Sequence, residues 1–214
     1  CLAVTPMFLI DGAWLRGVAF KPGRLREDEA ILVETWEDEV GNHNYLQNHA
    51  LIWEKLLRSC GAWKSEWEKD TKFRESVVYS KSFVYDPCFA DDSFAHGSVQ
   101  LALSLLNRRF YPEVLGYNLY FESNFALSEA SSRIARYFGI DQAYHKLHAS
   151  IDNPSQGHGL LAVKAIASYL ALFVDERTRH EQYQRVWRGF VLGLQLPWGS
   201  SFKKKSPDIT EMEL

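Results

Sequence analysis

Apolar side chains recur at helical spacing through most of the chain. Between Arg26 and Val40, Ile31, Leu32, Thr35, Trp36 and Glu39 fall on one face, the opposite side is rich in Glu and Asp, and Gly41-Asn42 stops the run. A second helix is predicted from Asn48, carrying Leu51, Ile52, Leu56 and Leu57 to Gly61. Asp91-Asp92-Ser93 is read as the cap of a helix through Leu106, and Tyr111-Pro112-Glu113 as the opening of another that reaches about Phe125. Ser128 to Phe138 forms a short amphipathic helix ended by Gly139, and Asp141 caps the next. Asn153-Pro154 is read as cap and first position of a helix to Phe173, with a last helix from Glu176 to Leu194.

The intervening stretches are less regular. Residues 1–25 read as an entry segment with turn signals at Asp11-Gly12 and Pro22-Gly23. Ala62 to Asp91 reads as short helical pieces in a long loop, and residues 201–214 as a polar tail. No strand alternation of any length is present. The expected architecture is all-α, a single domain over residues 26–200 with about seven helices packed on one another.

Composition narrows the function classes. With 46% hydrophobic residues and seven tryptophans among 214 residues, the chain has ample material for a packed core. A formal net charge of −3 gives no electrostatic case for nucleic acid, and Lys203-Lys204-Lys205 reads as a solvated end. Cys1, Cys60 and Cys88 are widely spaced with no C-x-x-C pattern, which argues against a disulfide framework and a thiolate zinc site. Ile166 to Val174, the longest late apolar run, is far too short to span a bilayer. The expectation is a soluble, cytoplasmic protein without membrane or nucleic-acid partners.

Candidate chemistry concentrates between Tyr144 and His158, where three of the seven histidines lie. His148 and Asp152 are four apart and share a helix face, a pairing that suits a first-row metal. Two further places supply metal-type side chains on apolar helices. Glu39 ends one helix and His49 opens the next, so a tight turn brings them together. Glu122 follows Tyr120-Phe121 in a bulky apolar helix, where an unpaired carboxylate costs several kcal/mol. Glu39, His49, Glu122, His148, Asp152 and His158 make three carboxylates and three imidazoles, a set that fits two iron or manganese ions in a helical bundle.

Three passages carry a family resemblance. They are Asp38-Glu39-Val40-Gly41 with Asn48-His49; Pro112-Glu113-Val114-Leu115-Gly116 with Asn118-Leu119 and Glu122; and His148-x-x-x-Asp152-Asn153 with Gly157-His158. In this order the chain resembles the heme-oxygenase-like diiron oxidases and oxygenases, the iron-containing redox enzymes, over about residues 10 to 195. The resemblance implies a heme-oxygenase-like helical bundle with the six residues above as ligands of two Fe(II) ions per chain, Mn being the alternative. It implies O2 and a small amino-acid, amine or fatty-acid-like substrate, converted by N-oxygenation, oxidative decarboxylation or C–C cleavage, with electrons from an unidentified donor. A homodimer is a further expectation. One departure stands out: many members place the last histidine three residues after the aspartate, and here His158 follows Asp152 by six. On an ideal helix that turns His158 about 120° away, so a kink or π-type bulge at Asn153-Pro154 is expected to re-aim it.

Other polar residues compete for roles. Glu113 follows Pro112 in a first helical turn, where it favours the helix dipole, and His43 is the rival of His49. His145 is read as a partner of the centre or a substrate contact, and Arg108-Arg109 as a holder of a substrate carboxylate. His96 is read as packing or lining a cavity, and His180, among Arg177, Arg179 and Glu181, as a surface residue. The contrasting readings are a non-catalytic helical binding or scaffold domain of a larger protein, a thiamin-cleaving relative that would need a reactive cysteine, and a heme oxygenase with one axial histidine.

Overall fold

The computed structural model describes residues 4–69, 77, 80–89 and 92–196, and these form helices joined by turns, with no strand among them. In chain order the helices are α1 (Thr5–Phe8), α2 (Ala13–Ala19), α3 (Glu27–Glu39), α4 (His49–Ser59), α5 (Lys81–Val84), α6 (Ala95–Leu105), α7 (Tyr111–Glu122), α8 (Phe125–Tyr137), α9 (Ala143–Ile151), α10 (His158–Ala171) and α11 (Glu176–Gln195). Short 3-10 turns stand at Tyr45–Gln47 and Ser65–Glu68. No helix of the described residues is long and apolar enough to cross a membrane.

The α3 pattern forms as expected. Arg26 stands at the N-cap in an extended conformation, and Glu29 accepts from the Arg26 N–H at 2.9 Å, the carboxylate half of a capping box. Asn48 caps α4 through Leu51 N at 3.1 Å, and Pro112 occupies the first turn of α7. The α7 and α11 backbones cross closely: a Cβ at Gly116 would lie 1.8 Å from Val186 O, and one at Gly189 would lie 2.1 Å from Glu113 O.

Two apolar clusters make up the core. One joins Trp14, Leu15 and Val18 of α2 to Leu32, Val114, Leu115, Tyr117, Ala165 and Val186, from α3, α7, α10 and α11. The other gathers Leu9, Ile52, Trp53, Leu56, Leu57, Trp67, Phe83 and Tyr144 around α4 and α9. The passage Leu9–Trp14 runs from one cluster to the other, so the segment read as a lead-in is an integral part of the core. Its two helices have 4 and 7 residues, too short for a periodic signal; burial against the rest of the bundle holds them.

A second difference concerns α10. The helix read as starting at Asn153-Pro154 begins at His158 instead. Asn153 Oδ1 accepts from both the backbone N–H and the hydroxyl of Ser155, at 2.8 and 2.6 Å, which closes a turn where a helix was expected. Of the cap read at Asp91-Asp92-Ser93, Asp91 lies outside the described residues, and α6 starts later than expected, with Phe94 at its N-cap and no side-chain cap; the tail at 201–214 and Cys1 also lie outside, and Cys60 and Cys88 are free thiols.

Candidate metal centre

The seam between the two clusters is filled by carboxylates and imidazoles carried on helix ends. Glu39 is the last residue of α3, His49 the first of α4, Glu122 the last of α7, Asp152 the C-cap of α9 and His158 the first of α10. Only His148 comes from within a helix. All six predicted residues come together here. A seventh, Asp11 from the turn between α1 and α2, joins them with its side chain 4% exposed.

They fall into two groups that share Glu39. Asp11, Glu39, His49 and His148 each offer one atom within 4.8 Å of the others, and so do Glu39, Glu122 and His158. In the first group, His49 Nδ1 lies 2.6 Å from Glu39 Oε2, and His148 Nε2 lies 3.5 Å from Asp11 Oδ2. In the second, His158 Nδ1 lies 3.2 Å from Glu122 Oε2, 3.8 Å from Asp152 Oδ1 and 4.0 Å from Glu39 Oε1.

Local structure explains the convergence. The turn after α3 passes through left-handed backbone at Gly41, Asn42 and His43 (φ 97°, 46° and 65°), and Asn48 Nδ2 donates to Val40 O at 3.4 Å, which folds His49 back onto Glu39. His43 itself is exposed. Gly12 (φ 75°) brings Asp11 in; a Cβ there would lie 2.6 Å from Glu39 Cβ. Between α9 and α10 the helix ends altogether and a turn intervenes, in place of a kink or bulge at Asn153-Pro154. Gly157 passes so close to Ile151 that a Cβ would stand 1.8 Å from its carbonyl oxygen, and the new helix starts with His158 facing Asp152.

The imidazoles are oriented from outside. His148 Nδ1 donates to Tyr144 O at 2.9 Å, which leaves Nε2 for the cluster. His158 Nε2 meets Asp38 Oδ2 at 3.0 Å, which leaves Nδ1. The Tyr144 hydroxyl donates to Asp11 Oδ2 at 2.6 Å. Such outer partners fix which nitrogen faces a metal.

The residues pass a physical test for a cation. Glu39 Oε2, His49 Nδ1, Asp152 Oδ1 and His158 Nδ1 are buried without an aligned hydrogen bond, close together but not satisfying one another. Three carboxylates also stand at the C-terminal ends of α3, α7 and α9, where the helix dipole disfavours anions. In the metal-free chain, protons do what positive charge must. Burial opposes charging His148 and His158, but the surrounding carboxylates (chiefly Asp11 for the first and Glu122 for the second) raise both to about 10. Burial, and then the neighbouring Glu122, push Asp152 far above the usual carboxylate range.

A cavity of about 310 Å³ opens onto this floor, walled by Phe8, Trp14, Trp53 and Phe121 and roofed by α8. His145 lines it, edge-on to Trp53; burial lowers its pKa to about 4. Arg108 and Arg109 do not line it. Both are exposed just beyond the end of α6, where Arg108 borders a separate polar cleft, so the structure does not bring them to the cavity. The arginines follow the end of a helix that packs on α2, away from the cluster.

The remaining competitors have other work. Glu113 pairs with Arg185 and Arg188, His96 is held near Tyr117 OH and Leu196 O, and His180 is exposed. Sequence reasoning missed Asp11, whose signal was a lone charge between Leu9-Ile10 and Ala13-Trp14, and the outer roles of Asp38 and Tyr144.

No curated protein matches the chain. A family model described as iron-containing redox enzyme matches residues 3–198, nearly the whole described bundle. A helical fold with a buried carboxylate and histidine floor is what that match covers, and the chain belongs to the iron-containing redox enzymes, a heme-oxygenase-like family of oxidoreductases.

Proposed function

We propose that the protein is an O2-dependent oxidoreductase built on a non-heme diiron centre. Asp11, Glu39, His49 and His148 would hold one ion, and Glu39, Glu122, Asp152 and His158 the other, with Glu39 common to both. The observation that carries this reading is the pair Glu39 Oε2 and His49 Nδ1, buried 2.6 Å apart without hydrogen-bond alignment, as two donors to one cation are. A set of oxygens and imidazoles suits iron or manganese, and the surrounding carboxylates match hard divalent ions better than a porphyrin with one axial histidine. Ferrous iron bound by these residues would supply electrons for the reduction of dioxygen.

The chain's own residues do the rest. Tyr144 steadies Asp11 through its hydroxyl and His148 through its carbonyl, so one residue sets two of the donors. Asp38 sets His158. Trp14, Trp53, Phe8 and Phe121 keep bulk water from the floor of the cavity and leave one approach for a small substrate beneath α8.

The test is an anaerobic Fe(II) titration followed by rapid exposure to O2, read by absorbance across the visible range. Uptake of close to two irons per chain and a coloured transient are expected. No uptake, or uptake of one iron with no O2 reaction, would sink the diiron reading and favour a binding or scaffold role.

A further inference from the structure

A second cleft, of about 270 Å³, lies at the opposite end of the bundle from the candidate metal centre, lined by Lys21, Arg26, Arg108 and Arg185 with Tyr111 and Tyr169 between them. The helices that border it run on to the centre: α3 from Arg26 to Glu39, α7 from Tyr111 to Glu122, and α10 from Tyr169 back to His158. The 12 residues of α7 set the two places about 18 Å apart.

Cations from four segments converge there. Lys21 follows α2, Arg26 precedes α3, Arg108 lies in the turn between α6 and α7, and Arg185 is on α11. Their carboxylate partners are Asp28, Glu29 and Glu113, and Arg188 shares the last of these. Five cations thus meet three carboxylates, a local excess of two positive charges in a chain whose formal net charge is −3. Donors also remain. Lys21 donates to both oxygens of Glu29 and keeps a third N–H, and Arg185 binds Glu113 and Arg109 O through Nε and Nη2, which leaves Nη1. Arg108 is exposed and forms no hydrogen bond or ion pair with the described residues, so its whole guanidinium fork is open.

We propose that this cleft binds a phosphate group, carried by a small ester or free in solution. A phosphate brings close to two negative charges at neutral pH and several strong acceptor oxygens, which matches both the excess charge and the remaining N–H donors. A monocarboxylate would balance only half of that charge. Arginine forks suit the oxyanion in paired contacts, and the starts of α3 and α7 add the positive ends of two helix dipoles. At about 30 Å³ for each water-sized group the cleft holds about nine, and a phosphate fills about half, so the space along Tyr111 and Tyr169 suits the body of a small ester. Among the described residues, the cleft shares none with the candidate metal centre, so the two assignments are independent.

The test is calorimetric titration of the full metal-free chain, dialysed free of chelator, with inorganic phosphate, glycerol 3-phosphate and malonate at constant ionic strength. Both phosphates are expected to bind at one site per chain, and malonate at least tenfold more weakly. Tighter binding of glycerol 3-phosphate than of inorganic phosphate assigns the site to an ester, and the reverse order to the free ion. Arg108→Ser should weaken phosphate binding at least tenfold and leave the melting midpoint without phosphate unchanged. Arg179→Ser removes an exposed cation that does not line the cleft, and should bind as the unaltered chain does. Failure of both phosphates to bind the unaltered chain overturns the proposal. So does malonate binding as tightly as the phosphates, or an equal effect of the two substitutions.

Discussion

His158 Nε2 lies 3.0 Å from Asp38 Oδ2, and the two side chains differ sharply in setting: the ring is 4% exposed and the carboxylate 40%. One residue thus joins the buried floor to solvent, and the carboxylate before Glu39 in sequence serves the neighbouring ion position from outside. Asp38→Asn keeps an acceptor and loses the charge. Affinity for the second iron is expected to fall about ten- to a hundred-fold, with the first little changed. Resolving the two steps of an anaerobic Fe(II) titration checks this; equal weakening of both steps would show that Asp38 does not act through His158.

Gly12→Ala meets two obstacles, a φ of 75° and a contact of 2.6 Å with Glu39 Cβ. The variant is expected to lose about 1–3 kcal/mol of stability and to hold iron more weakly. Chemical denaturation with and without iron measures both. Unchanged affinity would place Asp11 outside the ion site.

Acidity should act oppositely on the empty and loaded forms. His148 and His158 have folded-state pKa values raised to about 10, so their contribution to the metal-free chain is fully present below about 6.5 and is lost as pH rises toward 10. Asp152, also raised, binds its proton more tightly in the folded chain and acts in the same direction from lower pH upward. Metal must displace these protons, so its affinity rises with pH. Thermal melts with chelator should show a midpoint that falls between pH 6.5 and 10, and the gap between loaded and empty midpoints should widen. A rising midpoint for the chelated protein would contradict this assignment of charge.

A buried network distant from the centre offers a contrast. The Tyr111 hydroxyl donates to Asp28 Oδ2 at 2.6 Å, Arg26 pairs with Asp28 and Glu29, and Lys21 with Glu29. Tyr111→Phe should cost about 1–3 kcal/mol in denaturation. Iron stoichiometry should be unaffected, and loss of iron would show that the start of α3 governs the placement of Glu39 at its end.

Glu122→Ala removes the nearest carboxylate to His158 Nδ1. It should reduce uptake to the ion position held with Asp11 and His49, and abolish the O2-dependent transient. Retention of both irons would reassign Glu122 to a structural role.

Sequence patterning revealed the longer helices because each buries one apolar face long enough to show its period. α3 and α4 are cases, and the Glu39 and His49 pairing followed from where the first stops and the second starts. Asp11 was hidden because α1 and α2 are too short to be periodic, and Asp11-Gly12 has the same signature as an ordinary turn. Two helices meet between Asp152 and His158, as the Asn153-Pro154 reading expected, but the second starts at His158 because Asn153 and Gly157 favour a turn over an immediate restart. Arg108 and Arg109 were drawn into the site by charge alone, which says nothing about which end of a bundle a residue occupies.

Most of the candidate donors sit on the terminal turns of different helices. Their mutual distances are therefore set by how the helices are stacked and not by the number of residues between them. Connecting loops can lengthen or shorten during evolution without moving a donor, so a motif written as fixed spacings describes such a centre poorly. Relatives are better compared by which helix end each donor occupies, and a designer could graft the centre by copying the ends while leaving the connections free.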